Sequence, residues 1–379
     1  MSPSLSRRRL LAAATALPVD LRAIAEGPAS LAAAARLSGR SFGSAVHGEA
    51  ISRDAAYAAV VARECHGLTP ELELKWAAVE PRRGELNLAP MDRLADFARA
   101  HGMAVHGHTL VWHRSIPSWA EAALRDAPDW SLIHRYFGSV IPRYGDAISR
   151  WDVINEPSDP QGAGGLRASP LLRAFGPDYL RRTLETARLF APRGQLLINE
   201  YGLEYDDAEG QARRKAFLQL IDGLRAAGAP LDGVGLQSHL ELARGPIAQE
   251  SLRSFLRELA ARRLIICLTE LDVKEADDAL PAERRDAVVA AAAEAFLDAA
   301  LDTPEVLSVT TWGLSDRYSW LQARGADPRR RPFPWRDNAS ARLNRGLPLD
   351  AALRPKPMYQ AMLRAFRTAA AKTGRVSII

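Results

Sequence analysis

The stretch SRWDVINEP, residues 149–157, sets an apolar, partly alternating run against an abrupt polar ending. Trp151, Val153 and Ile154 belong in a core, yet the run closes on the amide Asn155, the carboxylate Glu156 and the chain-breaking Pro157. Glutamate is mostly a surface residue, so a charge at the end of a buried strand needs either a turn or a partner. Short apolar runs of the same kind recur along the chain: SFGSAV (41–46), HGLTP (66–70), MAVHGHTLV (103–111), QLLIN (195–199), DGVGLQS (232–238), LIICLTE (264–270) and VLSVTTW (306–312). With 149–155 they make eight.

The segments between them have helical period. Leu132, Ile133, Tyr136, Phe137, Val140 and Ile141 form one apolar stripe, and Leu252, Phe255, Leu256 and Leu259 form another. Near-continuous hydrophobicity in the strands indicates a parallel sheet buried on both faces. Eight strand–helix units predict an α/β fold closed as a single-domain (β/α)₈ TIM barrel, and 379 residues suit that size. The active site of such a barrel gathers at the carboxyl ends of the strands. Glu71 and Lys75, His108 and Trp112, Asn155 and Glu156, Asn199 and Glu200, Gln237 and His239, Glu270 and Asp272, and Trp312 all fall there.

Composition narrows the class. The 50 basic residues are interleaved with 45 acidic ones, leaving a net charge of +5 and no basic stripe of the kind a nucleic-acid binder carries. The first 25 residues differ from the rest. SRRRLLA from Ser6 fits a twin-arginine pattern, Leu10–Val19 is apolar but too short to span a bilayer, and Ala23-Ile24-Ala25 offers a cleavage site. Residues 1–25 are therefore expected to be an export signal, and 26–379 the catalytic domain of a periplasmic or secreted, monomeric protein without a membrane partner. Cys65 and Cys267 sit in apolar contexts and are expected to be buried free thiols.

Glu270, in LTELDV, is a second carboxylate at the end of a buried strand. A facing pair of carboxylates among Trp, His, Asn and Gln is what hydrolysis of a glycosidic bond requires. One must be ionised to attack the anomeric carbon, and the other must carry a proton for the departing oxygen. A metal-dependent hydrolase is the competing reading, because His106, His108 and His113 crowd one strand and an HxH pair can ligate zinc. No further His-plus-Asp set appears at later strand ends, so no metal or other cofactor is expected. A non-catalytic carbohydrate-binding barrel would be expected to lose one of the two glutamates, and both are present.

KWAAVEP (75–81), GHTLVWH (107–113), WDVINEP (151–157), DGVGLQSHL (232–240), TELDV (269–273) and WGLSDRYSW (312–320) occur in the order found in glycoside hydrolase family 10, the β-1,4-xylanases, which the chain resembles from Ser41 to Met362. The resemblance implies a retaining hydrolase of xylan or xylo-oligosaccharides, with Glu156 as acid/base and Glu270 as nucleophile. It implies that Asn155 binds the 2-hydroxyl of the attacked sugar and that His239, held by Asp272, orients Glu270. Glu71, Lys75, His108, Trp112, Gln237, Trp312 and Trp320 would bind sugar.

Four departures stand out. The family's E-N-E-M-K-W reads ELELKW here, with Leu72 in place of an asparagine, and its W-H-x-Q reads WHRS, with Ser115 in place of a glutamine. Both losses fall on one outer glycone subsite, which implies a preference for short, substituted or aryl-linked glycosides. The family's N-D-Y-N reads NEYG, ending in Gly202, and the Arg-rich segment Arg324–Leu347 is longer than the family norm.

Overall fold

The computed structural model describes residues 30–276, 279–322 and 344–374. The expected export signal and most of the Arg324–Leu347 segment lie outside them. Among the described residues nine strands follow in chain order: β1 (Ser41–Val46), β2 (Gly67–Pro70), β3 (Ala104–Trp112), β4 (Ile148–Asn155), β5 (Gln195–Glu200), β6 (Gly233–Leu236), β7 (His239–Glu241), β8 (Ile265–Lys274) and β9 (Val306–Thr311). All pair in parallel. Strands β1 to β6 are consecutive neighbours, β6 pairs with β8, β8 with β9, and β9 returns to β1. Eight strands thus close a barrel, the (β/α)₈ architecture expected from the alternation of runs. The short β7 is a side branch that pairs with the end of β8 (His239 beside Asp272).

The helices wrap the barrel with the stripes read from the sequence. The helix Ser131–Tyr144 buries Leu132, Ile133, Tyr136, Phe137, Val140 and Ile141, and Gln249–Ala261 buries Leu252, Phe255, Leu256 and Leu259. Side-chain caps define several starts: Asp54 accepts from Tyr57 N–H, Ser169 from Leu172 N–H and Asp207 from Gly210 N–H. The terminal helices Leu31–Leu37 and Pro357–Lys372 are tied together through one buried carboxylate. Glu64 Oε2 accepts from Leu31 N–H at 3.0 Å and from Tyr359 O–H at 2.9 Å. Cys65 and Cys267 are buried free thiols.

The run 232–238 does not continue as one regular strand. Ser238 takes a left-handed φ of 63°, and its N–H is held by Glu204 Oε1 at 2.9 Å. In a regular strand residues two apart share a face. This kink instead lets Gln237 and His239 serve different carboxylates.

Candidate active site

Glu156 follows β4 in a left-handed conformation, φ 55°, which costs a residue with a Cβ on the order of 1–2 kcal/mol. Two bonds hold it there: Glu156 N–H donates to Asn199 O at 2.8 Å, and Arg167 Nε donates to Glu156 O at 3.1 Å. From the neighbouring strand ends a line of amides connects it to Glu270. Gln237 Nε2 donates to Glu156 Oε1 (3.3 Å) and to Asn155 Oδ1 (3.2 Å). Asn199 Nδ2 donates to the same Asn155 oxygen (3.0 Å) and to Glu270 Oε1 (2.7 Å). Three amides therefore fix two carboxylates at opposite ends of one hydrogen-bonded chain. Asn199 is itself oriented by Thr269 Oγ1 at 2.7 Å and lies tight against Gly235, where a Cβ would come within 2.2 Å of its Oδ1.

Glu270 has the surroundings of an anion. Burial alone would raise its pKa, but the His239 hydrogen bond and the electrostatic influence of His108, His239 and Lys75 hold it below the usual carboxylate range. His239 stands 3.2 Å from Glu270 Oε2 through Nε2 and 2.9 Å from Asp272 Oδ1 through Nδ1. Burial opposes a charge on that ring, yet the two flanking carboxylates keep it protonated well above the ordinary histidine range. Both ring nitrogens then donate. The half-exposed Trp320 completes the line, with Nε1 donating to Asp272 Oδ2 at 2.6 Å and its ring 5.3 Å from His239.

Lys75, His108, Trp112 and Trp312 make the adjoining wall. The Lys75 ammonium lies 4.7 Å from the Trp112 ring and 5.5 Å from Trp312, whose indole meets His108 edge-on at 5.2 Å. Burial lowers the Lys75 pKa, and Glu270, Glu71, Glu156 and Glu73 pull against it. Burial pushes Glu71 up to about 7, Lys75 opposing and Glu73 and Glu270 adding to the rise. Leu72 is exposed beside this wall, while Ser115 is buried.

Two of the three histidines that raised the zinc reading, His106 and His108, are otherwise engaged. His108 Nδ1 and His106 Nε2 each stand 2.9 Å from one of the two oxygens of Asp152, a buried carboxylate on the next strand. Burial works against the charge on Asp152, but the two rings hold it well below the usual range. Among the described residues no group of three or more His, Cys, Asp or Glu is arranged to hold a metal ion.

Other residues near Glu156 had no place in the sequence reading. Arg167 holds its carbonyl, Ser158 and Arg213 lie beyond it around Glu200 and Tyr201, and Glu200 was noted only as a strand end. Glu200 Oε2 accepts from Ser158 N–H (2.9 Å) and Oγ–H (2.7 Å). Arg167 Nη2 donates to Tyr201 Oη at 2.9 Å, and the Arg213 guanidinium lies 4.3 Å from the Tyr201 ring. Gly202 accounts for that stacking: at φ 73° a Cβ would fall 2.7 Å from Arg213 Cδ, so Arg213 fills the side-chain space of residue 202.

Comparison with known proteins bears on the family and the fold. The family model described as Glycosyl hydrolase family 10 matches residues 30–365. Endo-1,4-beta-xylanase 1 of Humicola insolens is 33% identical over 284 residues, covering 74% of this chain and 64% of its own length, so the match spans less than two thirds of that relative. The crystal structure of native xylanase 10B from Thermotoga maritima superposes with a TM-score of 0.76 at 27% identity, over 90% of this chain and 99% of that one. Xylanase 10B from Thermotoga petrophila RKU-1, solved in complex with xylobiose, gives a TM-score of 0.77 at 26% identity over 90% and 98%. With a barrel of the same architecture and a family match across nearly all the described residues, this chain belongs to glycosyl hydrolase family 10.

Proposed function

We propose that the protein is a retaining glycoside hydrolase acting on β-1,4-xylosidic bonds of xylan or xylo-oligosaccharides, with Glu270 as nucleophile and Glu156 as acid/base. The observation that carries this reading is the amide line joining two carboxylates with opposite surroundings. Glu270 is bracketed by His239, Asn199 and Lys75, whereas the Glu156 carboxyl accepts one bond, from Gln237. A Glu270 oxygen attacks the anomeric carbon as the bond to the leaving oxygen breaks, and Glu156 passes its proton to that oxygen. The ester so formed is opened by water, whose proton goes to Glu156, and Glu270 departs as a carboxylate. Two inversions give net retention. Asn155 faces this reaction from between the carboxylates, placed to bond the 2-hydroxyl where such contacts strengthen in the transition state. Proton NMR of the first product from xylotetraose is expected to show the β-anomer before mutarotation. The α-anomer appearing first would replace double displacement with inversion.

Support for xylose as the sugar comes from the relatives named as xylanases and from the xylobiose held by one of them. The outer glycone subsite is the point of difference. Leu72 puts an exposed apolar side chain where the family pattern has an amide, and Ser115 is too short to replace a glutamine. Each neutral hydrogen bond lost is worth about 0.5–1.5 kcal/mol, so the pair weakens that subsite by roughly tenfold. Because remote binding energy lowers the barrier at the reacting carbon, the deficit should appear in kcat/KM for longer chains. The double change Leu72→Asn and Ser115→Gln is expected to raise kcat/KM on xylotriose by about tenfold and on phenyl β-xyloside hardly at all. Equal gains on both substrates would mean that neither residue reads the second sugar.

A further inference from the structure

The short β7 does not continue the register of β6 on their common neighbour β8. Leu236 pairs with Leu268, but His239 pairs with Asp272. Two residues, Gln237 and Ser238, therefore stand against three, Thr269, Glu270 and Leu271. A one-residue slip between strands exchanges the faces that their side chains take. Had the register of β6 run on, His239 would lie beside Leu271, which is buried in the core. The left-handed Ser238 is where the slip is made, and His239 thereby reaches Asp272 through Nδ1 and Glu270 through Nε2. Two consecutive buried residues of the loop after β5 hold this segment on either side of His239. Glu204 Oε1 accepts from Ser238 N–H at 2.9 Å. Tyr205 Oη accepts from Glu241 N–H at 2.7 Å and donates to Glu241 O at 2.9 Å, so one phenol engages both backbone groups of that residue. The loop is itself tied down: Arg214 Nε donates to Leu203 O at 2.8 Å, and the Arg244 guanidinium lies 4.5 Å from the Tyr205 ring.

We propose that Glu204 and Tyr205 are positioning residues: they lock the register slip at Ser238 and through it set His239 against the nucleophile Glu270. The inference rests on the nucleophile reading of Glu270 given above. A left-handed backbone is unfavourable for a serine, whose Cβ crowds the following carbonyl, so the slip needs a hold from outside the strand. Irregularities of this kind re-aim a side chain beside an active site. Without the hold, the segment relaxes toward the register of β6, and the ring that orients Glu270 turns away from it. Gln237 lies before the slip, its N–H on Glu200 O at 2.9 Å, and so stays with β6. The loss therefore falls on attack by Glu270 rather than on proton transfer by Glu156, and it is the same whatever the leaving group.

The test reads the attack step alone, with 2,4-dinitrophenyl 2-deoxy-2-fluoro-β-xylobioside. A Glu270 oxygen bonds to the anomeric carbon as the bond to dinitrophenolate breaks. That group leaves without a proton, and the fluorine slows hydrolysis of the ester, which accumulates. The first-order labelling constant at saturating reagent does not depend on how much protein is folded, so a merely stabilising role would leave it unmoved. Glu204→Ala is expected to label about 10²-fold more slowly than the parent, the cost of misplacing a reacting group by about 1 Å. Glu204→Gln keeps an oxygen for Ser238 N–H and should regain most of that loss. Adding Ser238→Gly to Glu204→Ala removes the Cβ that opposes the left-handed backbone and should regain about tenfold. A Glu204→Ala constant within about threefold of the parent, or a loss that neither change repairs, overturns the proposal. Tyr205→Phe deletes only the Oη that holds Glu241 and carries the test alone if Glu204→Ala does not fold. It is expected to label about fivefold more slowly, and an unmoved constant overturns the proposal there too. The peptide that carries the label in the parent separates the two levels of inference. A label on a residue other than Glu270 fails the nucleophile reading itself. A label on Glu270 with unmoved constants in the variants removes only the role of Glu204 and Tyr205.

Discussion

Glu270→Gln is expected to lower kcat/KM on every β-xyloside by about 10⁴-fold or more, with xylobiose binding retained. The amide is isosteric but cannot form the ester, so the two-step path has no first step. It also disturbs what the native carboxylate organises. Asn199 Nδ2 and His239 Nε2 both donate toward Glu270, from 2.7 and 3.2 Å, and an amide can accept at only one of its two positions. The better leaving group of 2,4-dinitrophenyl β-xylobioside cannot rescue this variant, because attack rather than protonation is lost. Activity within tenfold of the parent on that substrate, from protein with unchanged near-ultraviolet circular dichroism, would remove Glu270 from the nucleophile's place.

The barrel was legible because its signals are local. Eight apolar runs of strand length, separated by stripes such as Leu252, Phe255, Leu256 and Leu259, require only that each segment bury its own apolar face. The candidate site was legible wherever a polar side chain ends such a run, as Glu156 and Glu270 do. What escaped the reading depends on the register between strands. His106 and His108 looked like a metal pair by their spacing, but β3 and β4 align His108 with Asp152, which takes both rings. Ser158 carries no sign that it caps Glu200, because the two meet only when β4 and β5 pair, Asn155 beside Asn199. The break at Ser238 was hidden for a similar reason. A left-handed serine is favoured only by the Glu204 carboxylate that binds its N–H from another loop.

Glu156→Ala is expected to divide substrates by leaving group, and that division is what identifies an acid/base residue. On linear xylo-oligosaccharides the sugar alkoxide cannot leave unprotonated, so kcat/KM should fall by about 10²–10⁴-fold, the usual worth of a positioned general acid. On 2,4-dinitrophenyl β-xylobioside the first step needs no proton and should proceed at nearly the parent rate, visible as a burst of dinitrophenol. The steady state then slows, because water attacks the glycosyl-enzyme without a base. The truncation leaves room beside Gln237, whose amide no longer meets a carboxylate. Azide entering that space needs no base and attacks the anomeric carbon on the face opposite Glu270. The product should be β-xylobiosyl azide, formed faster as azide is added. The α-azide would instead mark the missing group as the nucleophile, and no azide effect together with an absent burst would exclude Glu156 from the proton transfer altogether.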